Sequence, residues 1–216
     1  MEDLTKVAEK AGALFQIGVV ATGIAVVTGG AVAAQDLGEF PNQFINDDGE
    51  VDTVVVVGDE AKNMDTVGAI NIVASLTDAA SEHSTETVDG AAPDQSFDDV
   101  ALYSASNVDE EMMDKDMILV GGPQVNQFTQ NLSEQGEVPG EGEIAEDEAV
   151  IQLVEDAFNE GQDALIVAGY SSEATMDAAT FLAEYHENEE RLDGETKIRI
   201  DTSEKGTEEF QNMIEE

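Results

Sequence analysis

The feature that most constrains this chain is a unit repeated three times: a short apolar run, then glycine, then a segment with helical spacing. The units begin at residues 54–58, 118–122 and 164–169. Short runs of valine, isoleucine and leucine bounded by glycine are typical of strands buried on both faces of a sheet. Their alternation with helices predicts an α/β fold, a three-layer, Rossmann-like domain with a mostly parallel sheet. Many unrelated activities share such an architecture, so it assigns no function.

The charge of the chain restricts its partners and its surroundings. Acidic residues outnumber basic residues 49 to 8, which gives a formal net charge of −41. Such a charge repels nucleic acid and anionic lipid, so neither is an expected partner. The apolar fraction of 41% opposes disorder. The excess of carboxylates therefore indicates a halophilic surface. Its self-repulsion is screened in molar salt, where the Debye length is about 3 Å. The absence of cysteine excludes disulfides and thiolate metal sites.

Residues 1–33 have the plan of a secretory signal peptide. A charged start precedes the apolar residues 11–27, and an A-x-A site predicts cleavage near Ala33. The alternative is an uncleaved N-terminal anchor, through which alone the chain would contact a membrane. Under both interpretations residues 34–216 are exported, and we expect them to form a single domain.

Helical spacing after the first unit predicts a helix from Asp65 onward. Its predicted buried residues are Val67, Ile70, Val73, Ala74 and Leu76. The polar residues 77–99 are then expected to form a surface connection that exposes His83. Before the unit, Phe40 and Phe44 are expected to anchor an extended lead-in that ends in an Asp-Gly turn.

Three further elements are predicted in the second half of the chain. Residues 148–160 have the spacing of an amphipathic helix. A helix over residues 173–185 would place His186 at its C-terminal end, where the helix dipole favours a cation. Alternation over residues 197–200 predicts an edge strand, and residues 203–216 a short amphipathic helix.

Glycines after parallel strands invite comparison with phosphate-binding loops. Neither G-x-G-x-x-G nor G-x-x-x-x-G-K-[ST] occurs around Gly58, Gly121 or Gly169, and the neighbouring acids would repel phosphate. Because glycine also lets a chain turn from strand to helix, we interpret these residues as turns.

Ser171 lies in a G-Y-S-S-E segment that partly matches the nucleophile elbow G-x-S-x-G, the motif that carries the nucleophilic serine of many hydrolases. The closing glycine is missing, and neither His83 nor His186 lies in a glycine-bounded loop after a strand. The hydroxyls of Ser171 and Ser172 suit the N-cap of the next helix, so we assign no catalytic or cofactor-binding residue.

Two polar motifs suggest other sites. One acidic cluster could hold Ca²⁺, but it lacks the EF-hand spacing, and we interpret it as a turn. Its members are Asn46, Asp47, Asp48, Glu50 and Asp52. Asn131 begins the only N-x-[ST] sequon, at a predicted helix end, which makes Asn131 the candidate glycosylation site of an exported chain.

Three stretches carry a family resemblance when they are taken in order. They are V-V-V-V-G-D-E-A at 54–61, I-L-V-G-G-P-Q-V-N at 118–126 and V-A-G-Y-S-S-E-A-T at 167–175. With the leader and the phenylalanine-containing lead-in, they resemble the archaeal S-layer protein family of the methanogen type, here as a short, halophilic member. The resemblance covers roughly residues 34–200. Full-length relatives have large domains where this chain has only residues 77–99.

The resemblance implies an exported structural glycoprotein of the extracellular cell surface that is not an enzyme. It would be an S-layer component, or S-layer-associated, and would act by self-association or by docking to other S-layer or envelope proteins. Ca²⁺ or other divalent cations would support assembly. The alternatives are a cell-envelope or glycan-binding module and an exported serine hydrolase using Ser171.

Overall fold

The computed structural model describes residues 35–87, 102–110 and 112–203, with the backbone alone for residues 84–87. The strands of these ranges are β1 (Thr53–Val57), β2 (Leu102–Ser104), β3 (Asp116–Val120), β4 (Glu148–Val154), β5 (Ala164–Gly169) and β6 (Lys197–Asp201). Their helices are α1 (Asn63–Thr87), α2 (Gln127–Gln135), α3 (Ser172–Ala183) and α4 (Tyr185–Leu192). The predicted signal peptide, its cleavage near Ala33 and nearly all of the predicted C-terminal helix lie outside the described residues.

The strands form one mixed sheet in the order β2-β1-β3-β5-β4-β6. Strands β2, β1, β3 and β5 pair in parallel, whereas β4 is antiparallel to both β5 and β6. The prediction of a mostly parallel, Rossmann-like sheet is therefore wrong. The strands of the three repeated units, β1, β3 and β5, are adjacent and parallel, and β2 extends them in parallel, but β4 forms antiparallel pairs on both of its sides.

The error arises at residues 148–160, where β4 takes the place of the predicted helix. The apolar residues of this segment are spaced three and four apart, as in an amphipathic helix, but Ile151 between them is also fully buried. Periodicity does not separate a strand buried on both faces from a buried helix. After β4, a turn with Gly161 at a φ of 82° returns the chain, so β4 and β5 form a hairpin.

Both faces of the sheet are covered by apolar side chains. On one face, α1, α3 and α4 form a core with Phe40 and Phe44 of the lead-in. The ring of Phe40 lies edge-on to Phe44 at 6.1 Å and to Tyr185 at 5.7 Å between centroids, which confirms the predicted anchors. On the other face, α2 and the following loop contribute Leu132 and Ile144 to a second core.

Helix α1 is longer than predicted. It continues to Thr87, so residues 77–87 are helical and do not belong to a surface connection. His83 is exposed on this helix, where its Nδ1 lies 3.1 Å from the carbonyl oxygen of Ala79. Neither α1 nor any other helix of the described residues is long and apolar enough to cross a membrane.

The buried face of α1 also differs from the prediction. Val67 and Ile70 were expected inside, but they are 42% and 52% exposed. The buried apolar residues of α1 are Ala69, Ile72, Leu76, Ala79 and Ala80. Apolar residues surround the first turns of this helix, so spacing alone permits more than one buried stripe. Small residues decide the outcome, because α1 approaches α3 at Gly68, where an added Cβ would lie 2.8 Å from the Cβ of Ala179.

The helix predicted over residues 173–185 is confirmed as α3, but it ends two residues early and a second helix that was not predicted follows it. Helix α3 ends at Ala183 and α4 begins at Tyr185. His186 therefore lies in the first turn of α4, which is the wrong end for the predicted dipole interaction, and its ring stacks on Tyr185 at 3.9 Å. Strand β6 lies at the edge of the sheet, as predicted.

Candidate functional site

The glycine turns of the three repeated units meet at one edge of the sheet. Strands β1, β3 and β5 are adjacent and parallel, so Gly58, Gly121 and Gly169 follow them at the same carboxyl edge. This edge is where α/β sheets generally bind ligands. A cleft of about 420 Å³ opens there. Its walls come from the start of α1, the loop after β3, residues 140–144 and the turn between β5 and α3.

The cleft presents one aromatic ring and an amide–carboxylate pair. Tyr170 is 58% exposed. Gln124 donates from Nε2 to Oε1 of Glu141 at 2.9 Å, which links the loop after β3 to the loop before β4. Asp65 is 3% exposed, and its Oδ2 accepts a hydrogen bond from the backbone N–H of Lys62 at 2.8 Å. The exposed groups offer a stacking surface together with donors and acceptors, the chemistry that hydroxyl-rich ligands require.

Close backbone packing explains two of the strand-end glycines. A Cβ at Gly58 would lie 2.0 Å from the carbonyl oxygen of Val125, and a Cβ at Gly169 would lie 2.4 Å from the nitrogen of Thr175. No side chain fits at either position, because the backbone of a neighbouring turn occupies the space. Close packing therefore requires glycine at positions 58 and 169, whereas the predicted need for glycine's conformational freedom applies to Gly121, whose φ is 106°.

Asn126 connects two strands and a helix from a fully buried position. Its Nδ2 donates to the carbonyl oxygens of Val56 at 3.1 Å and Val120 at 3.2 Å. Its Oδ1 accepts from the backbone N–H of Phe128 at 3.0 Å and so caps α2. The asparagine of the I-L-V-G-G-P-Q-V-N stretch thus holds the ends of β1 and β3 together and has no donor left for a ligand.

Ser171 and Thr175 organise the turn after β5. The Oγ of Ser171 accepts from the N–H of Ala174 at 3.2 Å, which confirms Ser171 as the N-cap of α3. Thr175 accepts from the N–H of Gly169 at 3.0 Å and donates to the carbonyl oxygen of Ser171 at 3.1 Å. None of the described residues that line the cleft is a histidine, so the structure places no histidine base in the cleft beside Ser171.

The acidic cluster near residue 50 forms a turn. The Oδ1 of Asn46 accepts from the backbone N–H groups of Asp48 at 3.0 Å and Glu50 at 2.9 Å, and Gly49 has a φ of 80°. Asp52 pairs with Lys115, with 2.8 Å between the carboxylate and Nζ. Within the described ranges, no group of three or more acidic or histidine side chains is arranged to hold a metal ion.

Asn131 lies within α2, not at a helix end as predicted. Its side chain is exposed, and its Oδ1 accepts from Nε2 of Gln135 at 2.6 Å. Leu132, the middle residue of the sequon, is fully buried against the sheet. Glycosylation of Asn131 remains a prediction.

A second set of polar contacts lies at the amino-terminal end of β3, away from the cleft. Asp116 accepts through Oδ1 from the N–H of Asp163 at 2.8 Å, and its carbonyl oxygen accepts from Oγ1 of Thr53 at 2.8 Å. Burial raises the pKa of the Asp116 carboxyl, the hydrogen bond from Asp163 opposes this, and the charges of Asp163 and Asp52 add to the rise. This carboxyl is therefore less favourably ionised than in an unfolded chain.

The sequence did not predict that the residues of the cleft lie together. Gln124, Glu141 and Tyr170 belong to three loops that only the sheet brings together, and no motif spacing links them. The available signal was the glycine content of these loops, at Gly122, Gly140 and Gly142.

Comparison with known proteins gives consistent results. The family described as "S-layer like family, outer domain" matches residues 76–186, just over half of the chain. An S-layer protein of Methanothermococcus thermolithotrophicus is 43% identical over 79 residues, which are 37% of this chain and 13% of that protein. An S-layer protein of Methanocaldococcus jannaschii is 31% identical over 137 residues, which are 63% of this chain and 21% of that protein.

The matched regions therefore span at most 21% of the length of these two relatives. The family match covers α2, the β4–β5 hairpin and α3, and thus most of the cleft described above. Its relatives are named as S-layer proteins of methanogenic archaea, and a structural role follows from the family. This chain belongs to the archaeal S-layer like family, matching its outer domain, and is a structural protein of the extracellular cell surface.

Proposed function

We propose that this chain is a component of an S-layer, or a protein associated with one, and that it acts by self-association or by docking to other envelope proteins without catalysis. The family match over residues 76–186 carries this proposal. Because the relatives are several times longer than the matched regions, their assembly is proposed for this chain and not transferred to it.

The roles of the family-like residues support a structural protein. Gly58 and Gly169 allow backbones to touch, Asn126 joins two strands to α2, and Ser171 caps α3. The side chains of Asn126 and Ser171 form hydrogen bonds within the fold. A catalytic serine would also need a neighbouring base that activates it.

The proposal includes export and modification. Residues 1–33 direct export and are removed near Ala33 or kept as an anchor, and residues 34–216 act as one domain. The exposed side chain of Asn131 receives a glycan. An intact mass that exceeds the mass of the polypeptide, counted from its determined N-terminus, and that returns to this mass in the Asn131→Gln variant, is the expected result for the natural host's protein.

Divalent cations are proposed to support assembly. Two copies of a chain with a net charge of −41 repel each other wherever their carboxylates meet. Ca²⁺ binds several carboxylate oxygens at once, so it can bridge acidic groups of neighbouring copies. Molar salt reduces the same repulsion by screening.

Self-association is tested with the full chain, purified in molar salt from a halophilic host. Light scattering gives the particle mass and electron microscopy gives the shape, each with and without Ca²⁺. Sheets or ordered oligomers that dissolve on chelation are expected. A monomer under every condition would refute self-association.

A second candidate function, glycan binding, is favoured by the cleft with its exposed Tyr170 and its Gln124–Glu141 pair. Retention of the chain on isolated envelopes without self-assembly, lost in Tyr170→Ala but kept in Thr196→Ala, is the expected result. Thr196 is exposed and precedes β6, at the far edge of the sheet, so it serves as a control. Equal retention of both variants would exclude the cleft.

A further inference from the structure

The outward face of α1 exposes apolar side chains on the first half of the helix. We define this face as the exposed residues Asn63, Met64, Val67, Ile70 and Ala74. Met64, Val67 and Ile70 are 40%, 42% and 52% exposed, and they are three of the five large apolar residues exposed in the described part of the chain. Single exposed apolar residues are ordinary, but three on consecutive turns of one helix form a contiguous strip.

This face contains no charge, which sets it apart in so acidic a chain. Residues 66–77 form the longest run without a charged residue in any described helix. By contrast, the short helix α4 carries Glu187, Glu189 and Glu190. Helix α2 exposes amides and Glu134, so its surface is polar. Acidic residues are thus missing where the exposed surface is most apolar.

The packing of α1 does not account for the strip. The sheet side of the helix is filled by Ala69, Ile72 and Leu76, all fully buried. On another side, Gly68 faces α3, and Asn71 donates from Nδ2 to Oγ1 of Thr180 at 3.2 Å. Val67 and Ile70 lie on neither of these sides, so the fold of the described residues gains little from their apolar character.

We propose that the outward face of α1 is the surface through which a second copy of this chain docks. The inference rests on the proposed self-association and specifies where it takes place. Two copies with a net charge of −41 repel each other least where carboxylates are absent, and the outward face of α1 meets this condition on both copies at once. A two-fold contact uses the same patch twice, so one charge-free apolar strip serves both partners. An anionic lipid surface is disfavoured because the rest of the chain repels it.

The conditions of a salt-rich surrounding favour such a contact. Molar salt shortens the Debye length to about 3 Å, so the carboxylates around the strip repel less strongly. Burial of the strip is hydrophobic and needs no charge pairing. Assembly through this face should therefore persist at salt concentrations that abolish surface ion pairs.

The first test is a charge placed on the strip, with a matched control. The full chain is purified in molar salt as the wild type, as Ile70→Glu and as Thr196→Glu, and particle mass is measured by light scattering over a range of concentrations. We expect Ile70→Glu to weaken association at least about tenfold, because it removes an apolar contact and sets two like charges together across the interface. Thr196→Glu adds the same charge at an exposed position near β6 and should change association less than about twofold. Circular dichroism shows whether each variant is folded.

The second test avoids a disruptive substitution. Because the chain has no cysteine, Ile70→Cys and Thr196→Cys each carry a single thiol. The rate of thiol labelling is measured in dilute and in associated samples. The labelling rate of Cys at position 70 should fall as the associated fraction rises, by at least about tenfold at full association. The labelling rate at position 196 should not change.

The outcomes separate this inference from the proposed function. If the wild type associates, but Ile70→Glu does not weaken association and position 70 is not protected from labelling, the inference is overturned and self-association stands. A wild type that stays monomeric would overturn both. Protection at position 70 that is independent of concentration would show that another part of the same chain covers the strip, and this too would overturn docking of a second copy.

Discussion

Replacement of Asn126 gives the sharpest test of how the strand ends are held together. Its side chain makes three hydrogen bonds from a position with no exposed surface: two to carbonyl oxygens of β1 and β3, and one from the first turn of α2. In Asn126→Ala the helix loses its cap, at a cost of about 1 kcal/mol. Each lost bond to a carbonyl oxygen costs about 1 kcal/mol more. We therefore expect the free energy of unfolding to fall by about 3 kcal/mol.

The Asn126→Asp variant separates the two roles of this side chain. An aspartate keeps the oxygen that accepts from the N–H of Phe128, so the helix cap is preserved. It loses the Nδ2 donor and places a buried carboxylate oxygen against the carbonyls of Val56 and Val120. We expect Asn126→Asp to be at least as destabilised as Asn126→Ala, because a buried charge without a donor is unfavourable.

Urea unfolding in constant molar salt, followed by circular dichroism, measures both variants. With a slope of about 2 kcal/mol per molar urea, a loss of about 3 kcal/mol lowers the midpoint by about 1.5 M. Asn131→Ala, an exposed change on the same helix, should stay within about 0.5 kcal/mol of the wild type. If Asn126→Asp were as stable as the wild type, Asn126 would act only as a cap, and the proposed link between β1 and β3 would be refuted.

Three further predictions concern stability and use the same unfolding assay. Gly58→Ala should lower the free energy of unfolding by about 3 kcal/mol or prevent folding, because its Cβ would lie 2.0 Å from a backbone oxygen. The control Gly136→Ala, at a φ of 82° with open space around it, should lower it by about 1 kcal/mol. Equal effects of the two variants would contradict the packing argument. The raised pKa of Asp116 means that its contribution to stability is greatest below the ordinary value of 3.8 and is lost as the pH rises through the folded pKa. Asp116→Asn, which keeps the acceptor for the Asp163 N–H, should therefore be more stable than the wild type at neutral pH, with a difference that disappears in acid; a constant difference would show that ionisation is not the cause. Finally, the urea midpoint should rise as NaCl increases from about 0.1 M to about 2 M, because screening weakens the repulsion within a chain of net charge −41, and a midpoint independent of salt would contradict this.

The sequence predicted the strand–glycine units because their signals are local. A valine run followed by Gly58 and an isoleucine–leucine–valine run followed by Gly121 each report burial on both faces and a sharp turn. The N-cap at Ser171 was predicted for the same reason, since a hydroxyl before a helical segment needs only its own neighbours to form the cap. The family resemblance came from the same stretches.

The direction of β4, the buried face of α1 and the cleft depend on contacts between residues that are distant in the sequence. Residues 148–154 have an apolar pattern that fits either a helix or a doubly buried strand, and pairing with β5 on one side and β6 on the other decides for the strand. The cleft exists only because the loops after the parallel strands β3 and β5, with Gln124 and Tyr170, lie at the same edge of the sheet as the loop before the antiparallel strand β4, with Glu141.

The sequence by itself determined the acidic character of the chain, its buried strands that end in glycine and the three strand-to-helix turns, because composition and short apolar runs encode them without reference to the rest of the chain. Only the tertiary structure decided that β4 runs against its neighbours and that Val67 and Ile70 face outward. Apolar residues occupy most sides of α1, so their pattern names no single buried face. Close approach to α3 at Gly68 and burial of Ala69 and Ile72 against the sheet fix the rotation of the helix, and the outward apolar strip is the consequence.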